Sequence, residues 1–326
     1  MAHPSPAEPR VGASGRWFLR DPRVARWVFG VLAGAGALWW LGVFTLDWVR
    51  SATLGDLNPV FVFWLDLPLF ICASALAALG IRGAATVAAA WTAVVALGMA
   101  LYATVTCLAG WGALCMIAAA VCSVGAALIL RLGRIPSEWC LVGPFAARPA
   151  RPGSTRQHLR LTAAQTSVFW ALFLLALPLV IVVLERRWGL SVTLPGGWRI
   201  LGAALFVGGT AVGLWSAATL ARQGRGTPLP ATTATTLVVS GPYRYVRNPM
   251  AVGSIAQGIA VGLMASSWLV VLYAVAGGVI WDWFVRPHEE AELEARFGAP
   301  FQSYRASTLC WLPTRPRGAP RSAERR

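Results

Sequence analysis

The sequence predicts an all-α, polytopic membrane protein with about eight transmembrane helices, the last two forming a C-terminal helical hairpin. Three observations carry this. Charged residues make up only 13% of the 326-residue chain, where a soluble domain carries about 25%. Apolar runs near 20 residues, the length that spans a bilayer, recur along the chain. The basic residues sit in the stretches between those runs, where the positive-inside rule puts them.

Residues 1–26 are rich in Pro and Arg and read as a disordered basic N-terminus. The first span, 27–47, is followed by no small-residue cleavage site, so it is expected to stay as a membrane helix rather than be removed as a signal peptide. Further spans are expected at 60–81, 84–108, 112–131, 163–184, 199–220, 249–266 and 268–286. Asp66 lies within the second of them. An acid inside a span is a functional candidate by default, but Asp66 precedes Pro68, and an acid that caps backbone groups freed by the proline is the favoured reading. Gly98, Gly110, Gly112 and Gly125 let the third and fourth spans approach closely. Only Ala265-Ser266-Ser267-Trp268 joins the last two spans, which dictates a tight hairpin. Gly258 and Gly262 form a G-x-x-x-G packing face there. Gly253 lies one turn past a polar loop, where a ligand can approach backbone.

Counting by side gives 24 of the 28 arginines to the segments that share a side with the N-terminus. An even number of spans with both termini cytoplasmic fits that split. It also accounts for the net charge of +15 without nucleic acid. No lysine occurs, and with the many alanines and glycines this suggests a high-GC, bacterial source and the bacterial inner or plasma membrane.

The Pro/Gly/Arg-rich stretch 132–160 reads as a cytoplasmic linker. It separates a four-span N-terminal membrane region (27–131), whose role is not legible, from a second membrane domain (161–313) and a basic tail (314–326). The six cysteines form no C-x-x-C pair, and His3, His158 and His288 are far apart, so no metal site is expected. The cysteines read as small packing residues. Cys107 and Cys115 flank a short loop, which leaves open a disulfide on the outer face.

Most chemistry-capable groups lie in the second half. Ser240 to Met250 carries two prolines, a glycine, two tyrosines and two arginines. Gly241-Pro242 makes a turn, Pro249 keeps Asn248 out of the helical region, and an apolar helix starts just past it. Such a donor-rich loop at a helix N-terminus suits an anionic group; it also suits a plain basic loop that only sets topology. Beyond the hairpin, Asp282 and Arg286 are spaced for a salt bridge. A helix then runs from Pro287 to Gly298. Glu289 and Glu290 occupy its first turn, where acids also complement the helix dipole. Phe301, Tyr304 and Trp311 follow at spacings suited to a segment lying on the bilayer surface.

Two stretches in order, Gly241-Pro242-Tyr243-Arg244-Tyr245-Val246-Arg247-Asn248-Pro249-Met250 with Gly253, and Glu289-Glu290-x-x-Leu293-x-x-x-Phe297-Gly298-x-x-Phe301-x-x-Tyr304-Arg305, are separated by a two-span hairpin. Together they resemble the isoprenylcysteine carboxyl methyltransferase and phospholipid methyltransferase superfamily, over about residues 197–313. Upstream, Gly224-x-Gly226-Thr227-Pro228-x-Pro230 followed by Leu237-Val238 is similar to the lead-in of bacterial members. Many members have His where this chain has Asn248, and Tyr where it has Ala251.

The resemblance implies an integral membrane, S-adenosylmethionine-dependent methyltransferase whose cytoplasmic cofactor-binding elements are the polar loop and the helix after the hairpin. It implies a cofactor site at Gly241, Tyr243, Arg244, Tyr245, Val246, Arg247, Asn248, Pro249, Gly253, Glu289 and Glu290. Arg247, Asn248 and Arg305 are then the catalytic candidates. The acceptor is expected to be lipophilic, an isoprenoid-like carboxylate or a lipid head group. Two alternatives stand beside this reading. One is a non-catalytic membrane relative that binds or transports; the other is an NADPH-dependent membrane reductase with a similar hairpin.

Overall fold

The structure, a computed structural model, describes residues 17–138, 155–224 and 236–314. Most of the expected disordered N-terminus, the body of the linker with Cys140, the Gly226–Pro230 part of the lead-in and the basic tail lie outside the described residues. Among the described residues there is no strand.

A helix occupies each of the eight expected positions. They are α1 (Pro22–Thr45), α3 (Pro59–Ala78), α4 (Arg82–Thr106), α5 (Gly110–Leu132), α6 (Arg160–Arg187, the apolar part of a helix that starts at Thr155), α7 (Gly196–Gly224), α8 (Pro249–Ala265) and α9 (Trp268–Ile280), with a short additional α2 (Asp47–Thr53) after α1. A π turn (Trp281–Val285) continues α9 into α10 (Arg286–Phe297), and α11 (Ala299–Ser307) follows. Among the described residues, seven helices, counting the continuous run Trp268–Phe297 as one, are long and apolar enough to cross a membrane. The chain is an integral membrane protein. At 17 residues α8 is the shorter partner in the hairpin.

Two boundaries move. α1 begins at Pro22, inside the stretch expected to be disordered, because Asp21 accepts the Arg23 N–H at 2.8 Å and Pro22 fills the first helical position. The short α2 was not anticipated; Leu46 adopts an extended conformation between α1 and α2 and restarts the helix. Cys107 and Cys115 are free thiols, not a disulfide. Cys107 instead ends α4 in the left-handed region, at φ 60°.

The described chain divides into two compact units. The first runs to Pro136 and includes Val183–Ser191. An alanine seam (Ala25, Ala73, Ala77, Ala85, Ala88, Ala126) with Phe29 lets α1, α3, α4 and α5 close on one another. A methyl on Gly110 would collide with the Trp188 carbonyl, and one on Gly112 with the Thr53 carbonyl.

Asp66 is buried in this unit. It accepts the indole N–H of Trp40 at 2.8 Å on one oxygen and that of Trp91 at 2.7 Å on the other. It therefore braces α1 and α4 rather than capping groups freed by Pro68; the helix absorbs the proline through a π turn, Leu67–Cys72. Asp66→Ala strands the indole N–H of buried Trp40 and that of half-buried Trp91; a buried donor left unpaired costs about 1–3 kcal/mol, and the half-buried one less. We expect a thermal midpoint in detergent lowered by many degrees, and a smaller drop for Asp66→Asn, which keeps one acceptor. An unchanged midpoint in the alanine variant would remove this role.

The second unit holds 137–182 and everything from Val192 on. Here α7, α8 and α9 pack through small residues. A methyl on Gly209 would lie 2.9 Å from the Gly253 carbonyl, and one on Gly253 would lie 2.9 Å from that of Gly209. Gly253 thus meets α7 rather than open space. Gly258 and Gly262 face Ala274 and Val271 of α9, as the G-x-x-x-G spacing anticipated. Gln257, 2% exposed, donates to Thr210 Oγ1 at 2.8 Å. Ser266, at φ 53°, turns the hairpin, and Ser267 caps α9 through the Val270 N–H.

Candidate functional site

The loop before α8 is held open by its own sequence. Gly241 takes φ 58°, and Gly241–Arg244 form one 3-10 turn begun by Pro242. A side chain at Gly241 would meet Thr219 Oγ1 at 3.0 Å. Asn248 caps α8 by accepting the Ala251 N–H at 3.0 Å, and Pro249 is the first helical residue.

The C-terminal segment locks this loop. Arg247 N–H donates to Leu309 O at 2.9 Å, Thr314 N–H and Oγ1 donate to Tyr245 O at 2.8 and 2.9 Å, and Tyr304 O–H donates to Tyr243 O at 2.6 Å. Phe301, 2% exposed, anchors α11. Phe301, Tyr304 and Trp311 are therefore built into the protein rather than laid on a bilayer surface. The Trp311 indole donates to Asp282 at 2.8 Å.

Loop, α10 and α11 enclose a cavity of about 110 Å3. Tyr243, Arg247, Asn248, Glu289 and Glu290 all line it. Gly241, Val246 and Pro249 shape the loop without reaching the cavity wall. Arg244 and Tyr245 do not reach it either; the Arg244 guanidinium lies over the Tyr245 ring, 5.5 Å from its centroid. Arg305 stands outside as well, paired with Glu294 at 3.1 Å with close to half its side chain exposed.

Sequence reasoning missed several lining residues, chiefly Arg286, Trp281, Tyr304 and Cys310. A signal was present for Arg286. Asp282, Arg286 and Glu290 recur every four residues, so they share one helix face. Arg286 Nε lies 2.9 Å from Asp282 Oδ1 and its Nη1 lies 3.8 Å from Glu290 Oε1. Glu290 Oε1 also lies 2.9 Å from Arg247 Nη1. Cys310 carried no such signal; it is buried between the two arginines and lines the wall.

The electrostatics of the cavity are uneven. Glu290 is committed to two guanidiniums, whereas Glu289 pairs with no cation among the described residues. Arg247 Nε is buried and has no hydrogen-bond partner. Burial pushes the Tyr243 and Tyr304 phenols above their ordinary range; for Tyr243 the neighbouring Tyr304 and Glu289 push the same way, and for Tyr304 Arg247 pulls against it. Both therefore stay neutral and keep their protons. Burial also raises the Cys310 thiol, against the pull of Arg286 and Arg247. Among the described residues no cluster of metal-ligating side chains occurs.

These features define a class: a polytopic α-helical membrane protein with a charged, partly apolar cavity where a membrane hairpin meets its flanking polar segments. Residues 198–300 match the family model described as phospholipid methyltransferase. The match spans both loop and hairpin, reaches through α10, covers about a third of the chain, and is consistent with the isoprenylcysteine and phospholipid methyltransferase superfamily. No curated protein matches the chain.

Proposed function

We propose that the protein transfers a methyl group from S-adenosylmethionine to a lipophilic acceptor at the cytoplasmic membrane face. One observation carries the reading most: an uncommitted carboxylate, Glu289, and an unpartnered guanidinium N–H, Arg247 Nε, line the same cavity. That pair suits the zwitterionic amino-acid end of the cofactor. Glu289 takes the ammonium, and Arg247 takes the carboxylate with a donor it has no other use for. The cavity is smaller than the ~300–1,000 Å3 of a whole-ligand pocket, so it receives that end alone.

When bound, the cofactor supplies a methyl group on a sulfonium, displaced in line so that the C–S electron pair goes to sulfur as the acceptor–methyl bond forms. This chain's residues align and shield the reacting centre. Tyr243, neutral and lining the cavity, presents an aromatic ring to a sulfonium. Asn248 uses Oδ1 for the cap, which leaves its amide N–H2 for the cavity. Glu290 holds Arg247 and Arg286 in place. An isoprenoid-like carboxylate or a lipid head group both remain acceptors in this reading. Arg305 contributes through Glu294 by fixing α11 against α10.

The test is S-adenosylmethionine binding to detergent-purified protein, with NADPH as control and Glu290→Ala alongside. Selective binding that is weakened in the variant is expected, because Glu290 holds Arg247, the partner of the cofactor's carboxylate, in place; thermal unfolding of the variant runs alongside, since removing Glu290 also leaves two guanidiniums without their carboxylate. Folded wild-type protein that binds no S-adenosylmethionine overturns the reading, and binding of NADPH instead replaces it with the reductase.

A further inference from the structure

α9 passes into α10 at a junction that its own backbone holds weakly. Pro287 donates no backbone N–H, and the π turn Trp281–Val285 shifts the hydrogen-bond ladder just before it. Prolines and π turns are where helices bend. The direction in which α10 leaves the hairpin is therefore set by what α10 touches.

One face of α10 touches the cavity. Arg286, Glu289, Glu290, Leu293 and Phe297 line it. The ladder from Asp282 through Arg286 and Glu290 to Arg247 ties that face to the polar loop. His288 lies two residues from both Arg286 and Glu290, about 200° round the helix from each, and takes no part in the cavity wall. Its ring meets Ser137 instead. Ser137 Oγ and His288 Nε2 are 2.9 Å apart, across 151 residues of sequence. The carboxylate of Glu138, next in the chain, bears on the same imidazole. We propose that Ser137 and His288 are a positioning pair: they hold the face of α10 turned away from the cavity, and so keep Glu289 and Glu290 in place for the cofactor. The inference rests on the methyltransferase reading above.

The chemistry suits a fixed brace. A serine hydroxyl donates to a neutral imidazole nitrogen and accepts from an imidazolium N–H. The contact therefore persists in either protonation state of the ring. Ser137 directly follows Pro136, where the chain leaves the four-span unit. The first residues past that unit thus grip the helix that carries the cavity carboxylates. The matched segment, 198–300, contains His288 but not Ser137, so half of the pair lies in a part of the chain outside the family match.

The experiment uses the full chain in detergent, with S-adenosylmethionine as the probe. Each variant is read twice: affinity by titration calorimetry, and hydrogen–deuterium exchange of the amides of residues 289–293 by mass spectrometry. Ser137→Ala and His288→Ala are each expected to speed that exchange and to weaken binding about three- to tenfold, as for the loss of one neutral hydrogen bond. The double variant is expected to be no worse than either single one, because the two residues act only through each other. Ser137→Thr keeps the hydroxyl, and His288→Gln keeps a polar group at the reach of Nε2; both are expected to stay within about twofold of the wild type. Unchanged exchange in the alanine variants overturns the proposal. So does faster exchange at wild-type affinity, and so does a double variant in which the losses add. Faster exchange in the variants of a protein whose wild type binds no S-adenosylmethionine leaves the brace standing and counts against the methyltransferase reading alone.

Discussion

Glu289→Gln is expected to weaken S-adenosylmethionine binding by a factor of about 10 to 150. The substitution keeps size and shape, so the α10 fold and the cavity outline are retained. What changes is the charge of the one cavity carboxylate without a cation. A hydrogen bond to a charged group contributes about 1.5–3 kcal/mol, and each 1.4 kcal/mol is tenfold. The amide nitrogen also turns donors toward an ammonium that has only donors, which adds repulsion to the lost attraction. Titration calorimetry on purified protein measures the change, with thermal unfolding alongside as a control. Wild-type affinity in Glu289→Gln would show that the ammonium is held elsewhere, and the assignment of this carboxylate would fall.

Arg247 is the second large effect, and here two substitutions separate two jobs. Its Nη1 compensates Glu290 at 2.9 Å, while its Nε is buried without a partner. Arg247→Lys keeps a positive charge beside Glu290 but has no planar fork. It is expected to fold normally and to bind S-adenosylmethionine about 10- to 100-fold more weakly, consistent with losing one charge-assisted hydrogen bond. Arg247→Ala removes the ion-pair partner as well. Breaking a buried pair costs about 3–5 kcal/mol; with both side chains partly shielded, 14% and 22% exposed, we expect a smaller loss of stability on top of the loss of binding. If lysine binds as tightly as arginine, the carboxylate is not read by this guanidinium.

Helix positions were legible in the sequence because each apolar run was bounded by Pro, Gly or charge. The Asn248-Pro249 start of α8 and the Ser266 turn were fixed by local chemistry alone. α2 escaped because seven residues hold too little pattern. The site was half legible. Tyr243, Arg247, Asn248, Glu289 and Glu290 were named from two motifs, and they meet at one cavity. Arg244, Tyr245 and Arg305 belong to the same motifs yet point elsewhere, since neighbours in a 3-10 turn or on a short helix face different ways. Cys310 and Trp311 were unreadable for the opposite reason. Their roles depend on contacts with residues far away in sequence, such as Trp311 with Asp282, and no local period encodes those.

The bonds that complete the loop join distant parts of the chain: Tyr304 with Tyr243 across 61 residues, and Thr314 with Tyr245 across 69. Closing a free loop of that length costs roughly 3–4 kcal/mol in chain entropy. Close to half of the intervening residues, however, are α8 and α9, which run out and back. Once that hairpin has inserted, the two ends already sit side by side, and the closure left to make is short. The bilayer thus carries out the entropic work of assembling a polar site that stands at its edge. The cavity's order is inherited from the lipid as much as from the hydrogen bonds that line it.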